Sequence, residues 1–381
     1  MKNKRILICG ASIAGPALAF WLNRYGFDVV VVEKADAIRR GGQAVDFKGS
    51  IHLAVLERMG ILDAIRAASV PSEDGSIIDA RGRRIGTTPG RFAGGDINVP
   101  RGDLAAILHG LTAGRCAYRF GDTITALDQG SDDVAVAFAR AAPERFDLVI
   151  GADGIHSTTR RLAFGPEADY VKHLGYHYAL VGLPAGEEDA MYNEPGRMAA
   201  LGGAKAPAWF VFASDAMPGA RDDTGAQKQF LIDAYRGAGW RVAELMAGVP
   251  DAQEFYLDAI SRVTIDRYAA SRVALVGDAA YGNALGGFGT GLAVVGAYVP
   301  AGELHRAGGD HQRAFTAYEA RYRGYASVSQ KVNAGRLLAP ATRFGIRARN
   351  LLFSSLATFG PLMNLIDRPA SNLKLENYDT A

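Results

Sequence analysis

Apolar positions follow two different rhythms along the chain, and the change from one to the other lays out the elements. Residues 5–9 form a short, mainly apolar run ending at Gly10, residues 16–25 have helical spacing, and the β-branched run 29–32 ends at Glu33. That order is strand, turn, helix, strand. A strand that is apolar on nearly every residue is covered on both faces, as in a parallel sheet. After the glycine-rich stretch 41–49 comes a helix with Leu53, Leu56 and Met59 on its apolar side, and residues 101–111 predict another. Residues 117–120, 124–127 and 134–138 alternate with period two and predict hairpin strands, before 148–150 returns to a buried strand.

The same reading continues through the second half. Residues 181–212 are strand-rich, with turns at Glu194-Pro195-Gly196 and Gly202-Gly203, and 227–246 are helical. A buried strand at 273–276 leads into a glycine-rich loop and a helix over 292–305, and 311–338 and beyond are helical. Neither an internal repeat nor a low-complexity linker interrupts this order. The glycine-bearing turns lie toward both ends of the first 300 residues, so the middle reads as an insertion. The expected fold class is α/β, with a discontinuous nucleotide-binding domain (1–165 and 265–330), an inserted domain on an antiparallel sheet (166–264), and a C-terminal helical segment (331–381).

Composition narrows the class. A formal net charge of +2 gives no footprint for nucleic acid, and 49 % hydrophobic with 22 % charged residues suits a globular protein. Cys9 and Cys116 stand in no metal or redox spacing and fit a reducing compartment, so a cytoplasmic location is expected, with no metal. The apolar segment 350–366 follows Arg343, Arg347 and Arg349. It is too short, and too broken by Gly360 and Pro361, to span a bilayer, and a helix packed on the body is expected in preference to membrane-surface docking.

Three motifs carry chemistry. Residues 8–21 read ICGASIAGPALAFW, with Gly10 and Gly15 at the first and third places of a G-x-G-x-x-G turn and Ser12 at the second. The second glycine normally lets a pyrophosphate approach the main chain; serine adds only a hydroxymethyl group, which can itself bond a phosphate. Glu33, about twenty residues on, is placed for a ribose hydroxyl and disfavours a 2′-phosphate, which leaves NAD or FAD open. Residues 148–160, LVIGADGIHSTTR, run a strand into Asp153-Gly154. Residues 272–304 run a strand into Gly277-Asp278 and then Gly286, Gly287, Gly289 and Gly291 before a helix.

Taken together in this order, these segments resemble the FAD-dependent aromatic hydroxylases, single-component flavoprotein monooxygenases with the p-hydroxybenzoate hydroxylase fold. RRGGQAVDFKG, PRGDLAAIL and the stretch from GDAAY to LAVVGAYVPAGEL are most similar to the branch of tetracycline-inactivating and polyketide-hydroxylating enzymes. The resemblance implies FAD in its extended form, NADPH or NADH as reductant without a second dinucleotide-binding fold, and an antibiotic- or polyketide-like substrate. Gly10, Ser12, Ala14 and Gly15 would cradle the pyrophosphate, with Glu33 and Lys34 toward the adenosine. Arg101, and Arg39 or Arg40, would neutralise phosphate or ribityl oxygens. Asp278, with Asp153 and Gly154, would line the ribityl groove, and Gly287, Gly289, Thr290, Gly291 and Leu292 would turn backbone N–H groups toward the flavin N1–C2=O edge.

By that resemblance NAD(P)H would reduce FAD, O₂ would add at flavin C4a, and the hydroperoxide would pass its terminal oxygen to an electron-rich carbon of an aromatic or enolic polycyclic substrate. Gln43, Arg197, Phe210 and Phe212 are the candidate substrate contacts, with Gln43 also near the cofactor, and one of His173 and His177 could face the substrate. No catalytic triad is needed, because the flavin carries the chemistry. The chain departs from most relatives in having no proline at Asn283-Ala284-Leu285 and in carrying Tyr281 after Gly-Asp-Ala-Ala, where many aromatic hydroxylases carry His. Two rivals remain: a flavin-dependent reductase of the same fold, and a catalytically idle FAD- or polyketide-binding protein. A halogenase is disfavoured because Trp21, Trp209 and Trp240 are isolated. The residues leave the substrate and the oligomeric state open.

Overall fold

Three apolar runs from distant parts of the chain lie side by side in one sheet. Strand β1 (Arg5–Cys9) pairs in parallel with β2 (Asp28–Glu33) on one side and with Leu148–Gly151 on the other. The full order is Ala269–Ala270, Val273–Leu275, Leu148–Gly151, β1, β2 and Ala117–Phe120. The pairs are parallel except at the Ala269–Ala270 edge. The computed structural model describes residues 2–39, 41, 43–90, 95–184, 188–202, 206–215, 217, 223–358 and 372–379. Arg40 lies outside the described residues.

Strand alternation assigns the two faces. Ile6 and Ile8 of β1 pack toward helix α1 (Ala14–Arg24) and the helix Gly289–Arg306, whereas Leu7 and Cys9 pack toward a three-stranded antiparallel sheet of Ile124–Gln129, Val134–Phe138 and Glu144–Phe146. Ile6, Leu7 and Ile8, fully withdrawn from water, each stabilise the fold by roughly 1.5–3 kcal/mol. Ala117–Phe120, expected as a hairpin strand, instead closes the parallel sheet beside β2; an edge strand, covered on one face, alternates just as a hairpin strand does. Burial also holds the Cys9 thiol protonated, which makes it an inert core residue.

The second large sheet has seven strands, in the order Phe255–Val263, Val171–Val181, Ala208–Ala213, Arg197–Gly202, Asp189–Glu194, Gly75–Ile78 and Arg84–Thr88. The last two come from before residue 166, so this sheet is not confined to 166–264. Helices Thr224–Ala234 and Val242–Gly248 cover one face. A single helix was expected over 227–246, but the chain breaks between them, where Gly237 takes φ +72°.

The C-terminal third is helical in pieces. Helix His311–Ala326 is followed by a 3₁₀ turn at Ser329–Lys331, the short helix Ala334–Leu338 and the helix Arg343–Thr358. The last packs on the strand Arg84–Thr88, where Ser354 Oγ accepts from the Thr87 N–H at 3.0 Å, so its described part docks on the body as expected. Of the segment 350–366, residues 359–366 lie outside the described residues. Farther on, the Tyr378 ring is buried against Gly302 and its hydroxyl donates to Glu303 at 2.7 Å. Among the described residues no helix is long and apolar enough to cross a membrane.

Candidate functional site

The first turn closes so tightly that side chains are excluded at two places. Gly10 has φ +107°, and a Cβ there would lie 2.4 Å from the Ala152 carbonyl oxygen; a Cβ at Gly15 would lie 1.9 Å from the Gly10 oxygen. Glycine at the first position brings β1 against the Asp153 loop, and glycine at the third brings α1 against the turn. Ser12 faces outward, and its Oγ accepts from the Arg101 guanidinium at 3.0 Å. Glu33 accepts from the Ala11 N–H at 2.7 Å and the Ala35 N–H at 2.9 Å, one bond to each oxygen, which leaves each a further lone pair. No side chain caps the start of α1, so Ala14 stands at a helix terminus with its positive dipole end free.

Arg101 ties the segments together. Its backbone N–H donates to the Gln43 carbonyl at 3.2 Å, its guanidinium holds Ser12, and its charge is felt at Asp278, Tyr178 and Tyr256. Gln43 is thereby placed beside the first turn, whereas Lys34 and Arg39 point to solvent. Asp278 follows Gly277, whose φ of +61° and close approach to Ala14, 2.9 Å from a Cβ to the Ala14 Cβ, bring the second motif against the first. The Asp278 carboxylate is open to solvent yet crowded by protein, as on the floor of a groove. That crowding raises its pKa, with Arg101 opposing the shift, and no hydrogen bond reaches its oxygens among the described residues.

Asp153 behaves differently. Its oxygens accept from Ser157 Oγ at 2.5 Å, Thr159 N–H at 2.8 Å and Thr159 Oγ1 at 3.0 Å, so it builds its own loop. Beneath it the fully buried Arg160 donates to the Ala279 and Ile155 carbonyls, which locks the Asp153 loop to the Asp278 turn.

The glycine-rich loop before helix Gly289–Arg306 is shaped by left-handed residues: Leu285, Gly287 and Phe288 have φ of +56°, +71° and +62°. A Cβ at Gly154, Gly287 or Gly289 would meet no protein atom within 4 Å, which marks an open cradle on this side. At Gly291 the space is filled, since a Cβ would lie 2.0 Å from the buried His52 ring. Thr290 is half-buried. Leu292 departs from expectation: its side chain is buried and its N–H donates to the Phe288 carbonyl at 2.8 Å, because by the fourth helical residue the ladder has closed. Lys48 and Asp46, unremarked in the sequence, pair at 2.7 Å with the ammonium 5.4 Å from the Phe288 ring centre.

Together these residues fit a long anionic nucleotide ligand: an uncapped helix start with Arg101 at one end, an unbonded carboxylate on the groove floor, and an open glycine cradle beyond it.

The seven-stranded sheet corrects the substrate candidates. Met191, Ala200, Trp209, Leu180 and Tyr256 form one cross-strand row, and Asn193, Met198, Val211, Tyr178 and Asp258 the next. These rows share the face that packs toward Ala284 and Leu285 of the glycine loop. Phe210 and Phe212 occupy the alternate positions and lie buried under helices Thr224–Ala234 and Val242–Gly248. Arg197 pairs with Glu194 at 2.6 Å and donates to the Ala234 and Arg236 carbonyls, a brace for that helical layer. His177 stacks on Phe212 on the same side, and burial lowers its pKa to about 4, while His173 bonds the Tyr176 carbonyl across a bulge. The two histidine rings, with centroids 4.9 Å apart, lie on either side of that strand irregularity.

On the opposite face lies a polar chain that the sequence does not announce: Tyr178 OH to Tyr256 OH at 3.5 Å, Tyr256 OH to Asp258 at 3.1 Å, then His156 between Asp258 at 3.2 Å and Glu167 at 3.1 Å. Burial pushes the Asp258 carboxyl up, but His156, the Ala259 N–H and Tyr256 outweigh it and hold the carboxyl below its usual value. Alternation through YHYALV held the signal, because Tyr178 is out of phase with the buried Ala179.

Comparison with known proteins gives the family. Residues 3–307 match the family model described as FAD binding domain. A flavin-dependent monooxygenase of Legionella longbeachae serogroup 1 (strain NSW150) is 37 % identical over 344 residues, covering 87 % of this chain and 88 % of that protein. The crystal structure of tetracycline destructase Tet(51) superposes with a TM-score of 0.83 at 31 % identity, covering 99 % of this chain and 100 % of that one. For tetracycline destructase Tet(55) the TM-score is 0.80 at 34 % identity, with 94 % and 98 % covered. The chain belongs to the FAD binding domain family, and within it to the FAD-dependent monooxygenases.

Proposed function

We infer that this protein uses NADPH or NADH, together with O₂, to hydroxylate an aromatic or enolic polycyclic small molecule of polyketide or tetracycline type. The observation that carries the reading is the convergence of the Ser12 turn, Arg101 and Asp278 on one groove that ends at an open glycine cradle facing the Tyr178 side of the large sheet. Bound FAD would supply the redox chemistry, taking a hydride from the nicotinamide and activating O₂ for transfer of one oxygen atom.

The chain's own residues bind and orient. Gly10, Ser12, Ala14, Gly15 and Arg101 suit the pyrophosphate, Glu33 the adenosine ribose, and Asp278, with its free oxygens, the ribityl hydroxyls. The N–H groups of Gly287, Gly289, Thr290 and Gly291 suit the flavin edge that gathers negative charge on reduction. Gly154 leaves room beside the groove. Tyr178 and Tyr256 offer hydroxyls at the sheet face, and Asp258 and His156 can hold a proton behind them. The likeness to Tet(51) and Tet(55), whose names describe tetracycline destruction, supports the substrate class.

The test is consumption of NADPH or NADH and O₂ by the purified yellow protein against a panel of phenols, naphthols, anthraquinones and tetracyclines. A product heavier by one oxygen is expected. Flavin reduction without such a product, anaerobically coupled to loss of a substrate double bond, would mark a reductase, and no flavin reduction would leave only binding.

A further inference from the structure

At the sheet face that looks toward the glycine loop, two buried N–H groups have no acceptor. Arg349, on helix Arg343–Thr358, is 5 % exposed. One of its terminal nitrogens contacts Met191 Sδ at 3.4 Å, the other donates to Asn193 Oδ1, and the guanidinium sits 5.0 Å from the Phe353 ring centre. Its Nε–H has no partner, and no carboxylate pairs with it among the described residues. Burial lowers its pKa to about 10. The arginine is nevertheless held in place, because Asn193 donates to the Leu338 carbonyl at 2.7 Å and the Arg197 carbonyl at 3.2 Å, which turns its oxygen toward Arg349.

The second donor is Trp209, whose Nε1–H is buried without a partner although part of its ring reaches solvent. Trp209 stands in the same cross-strand row as Met191, with Ala200 between them. Two strand spacings separate Met191 from Trp209, roughly 10 Å, about the length of three fused rings. Ala200 offers a small, flat floor between the two donors.

A buried guanidinium without a counter-charge is among the least favourable arrangements a fold can hold, and a ligand that brings negative charge relieves it. Both open groups are donors and one is cationic, so the missing partner is rich in acceptors. We propose that Arg349 and Trp209 are specificity-determining donors that select a flat polycyclic substrate presenting an anionic, acceptor-rich edge, such as an ionised 1,3-diketone or a phenolate beside a carbonyl. This rests on the substrate face assigned under the proposed function.

The experiment uses the FAD-loaded full chain and the variants R349M, R349K and W209F. Tetracycline and 1,8-dihydroxyanthraquinone are the acceptor-rich probes, and 1,8-dimethoxyanthraquinone is the neutral control. Wild-type protein is expected to bind both acceptor-rich probes. R349M should weaken them by about ten-fold or more and W209F by roughly three- to ten-fold, in line with lost hydrogen bonds to charged and neutral acceptors. R349K should recover part of the loss, and the dimethoxy control, which keeps its carbonyl acceptors but cannot ionise, should bind wild type, R349M and R349K alike. FAD affinity should not change, and the R349M melting temperature should stay within about 2 °C of wild type or rise.

A marked fall in that melting temperature would make Arg349 a structural brace and overturn the proposal. So would unchanged probe binding in R349M, or failure of wild type to bind either acceptor-rich probe. Failure of the broader reading looks different: no compound in the turnover panel would give an oxygenated product.

Discussion

Ser12 Oγ and the Arg101 guanidinium meet at 3.0 Å across 89 residues of sequence, so the one position that departs from the glycine fingerprint is the one that recruits a cation to the turn. Arg101 also begins a helix whose first N–H is bonded to Gln43. Serine here exchanges close main-chain approach for an oriented guanidinium, whose fork matches phosphate geometry.

Restoring the fingerprint should therefore weaken the protein. S12G is expected to lower FAD affinity roughly two- to five-fold, the range for a partly exposed hydrogen bond to a charged group, and R101M to lower it further. Fluorescence titration of apoprotein with FAD measures both, and tighter binding by S12G would contradict the assignment.

Asp278 is expected to oppose folding while serving the ligand. Its pKa is raised by crowding, so the native state holds this proton more tightly than the unfolded chain does. The associated stability is fully present below the unfolded pKa and is lost as pH rises through the higher folded value. At neutral pH, ligand-free D278N should accordingly melt at a higher temperature than wild type, while FAD retention falls. Melting curves of apoprotein at pH 7 and 4 should converge for the two proteins at the acid end.

Two glycines separate fold from ligand space. G10A pushes a methyl group into the Ala152 carbonyl at a left-handed backbone and should destabilise the protein by at least about 2 kcal/mol. G289A meets no protein atom and has ordinary helical geometry, so its stability should match wild type or exceed it by up to about 1 kcal/mol. It should still lose FAD affinity, because the methyl group enters the cradle. Chemical denaturation of the apoproteins beside FAD titration resolves the two effects.

Acid should find the His156–Asp258 pair. The Asp258 carboxyl sits below its usual pKa, so the stability it contributes is present above the unfolded value and is lost as pH falls through the folded one. H156Q removes the charge and most of the hydrogen bonding, and its acid-unfolding midpoint, followed by circular dichroism, should move to higher pH than wild type.

Much of the parallel sheet could be read in advance because continuous apolar runs ending at Gly10, Gly151 and Gly277 are characteristic of strands buried on both faces. The pairing of the edge strand Ala117–Phe120 was not legible, since one-sided burial gives the same alternation in either pairing. In the large sheet, alternation was visible but its phase was not: Phe210 and Phe212 are more apolar than Trp209 and Val211, and the more apolar set faced the helices. Arg101 was legible from its motif. The chain from Tyr178 to His156 was not, because its members come from two strands and a loop that lie far apart in the sequence. The Asp153 carboxylate, expected to line the ribityl groove, is bonded to its own loop, a local competition that side-chain oxygens near helix starts commonly win.

The most direct measurement is calorimetric titration of FAD into apoprotein, carried out in parallel for wild type, R101M and D278A. Saturable binding of one FAD per chain is expected for wild type, with a clear loss of affinity in each variant, since the two residues come from different motifs. Absence of a binding signal in folded wild-type protein, or equal affinity in all three, would contradict convergence of these segments on one flavin nucleotide.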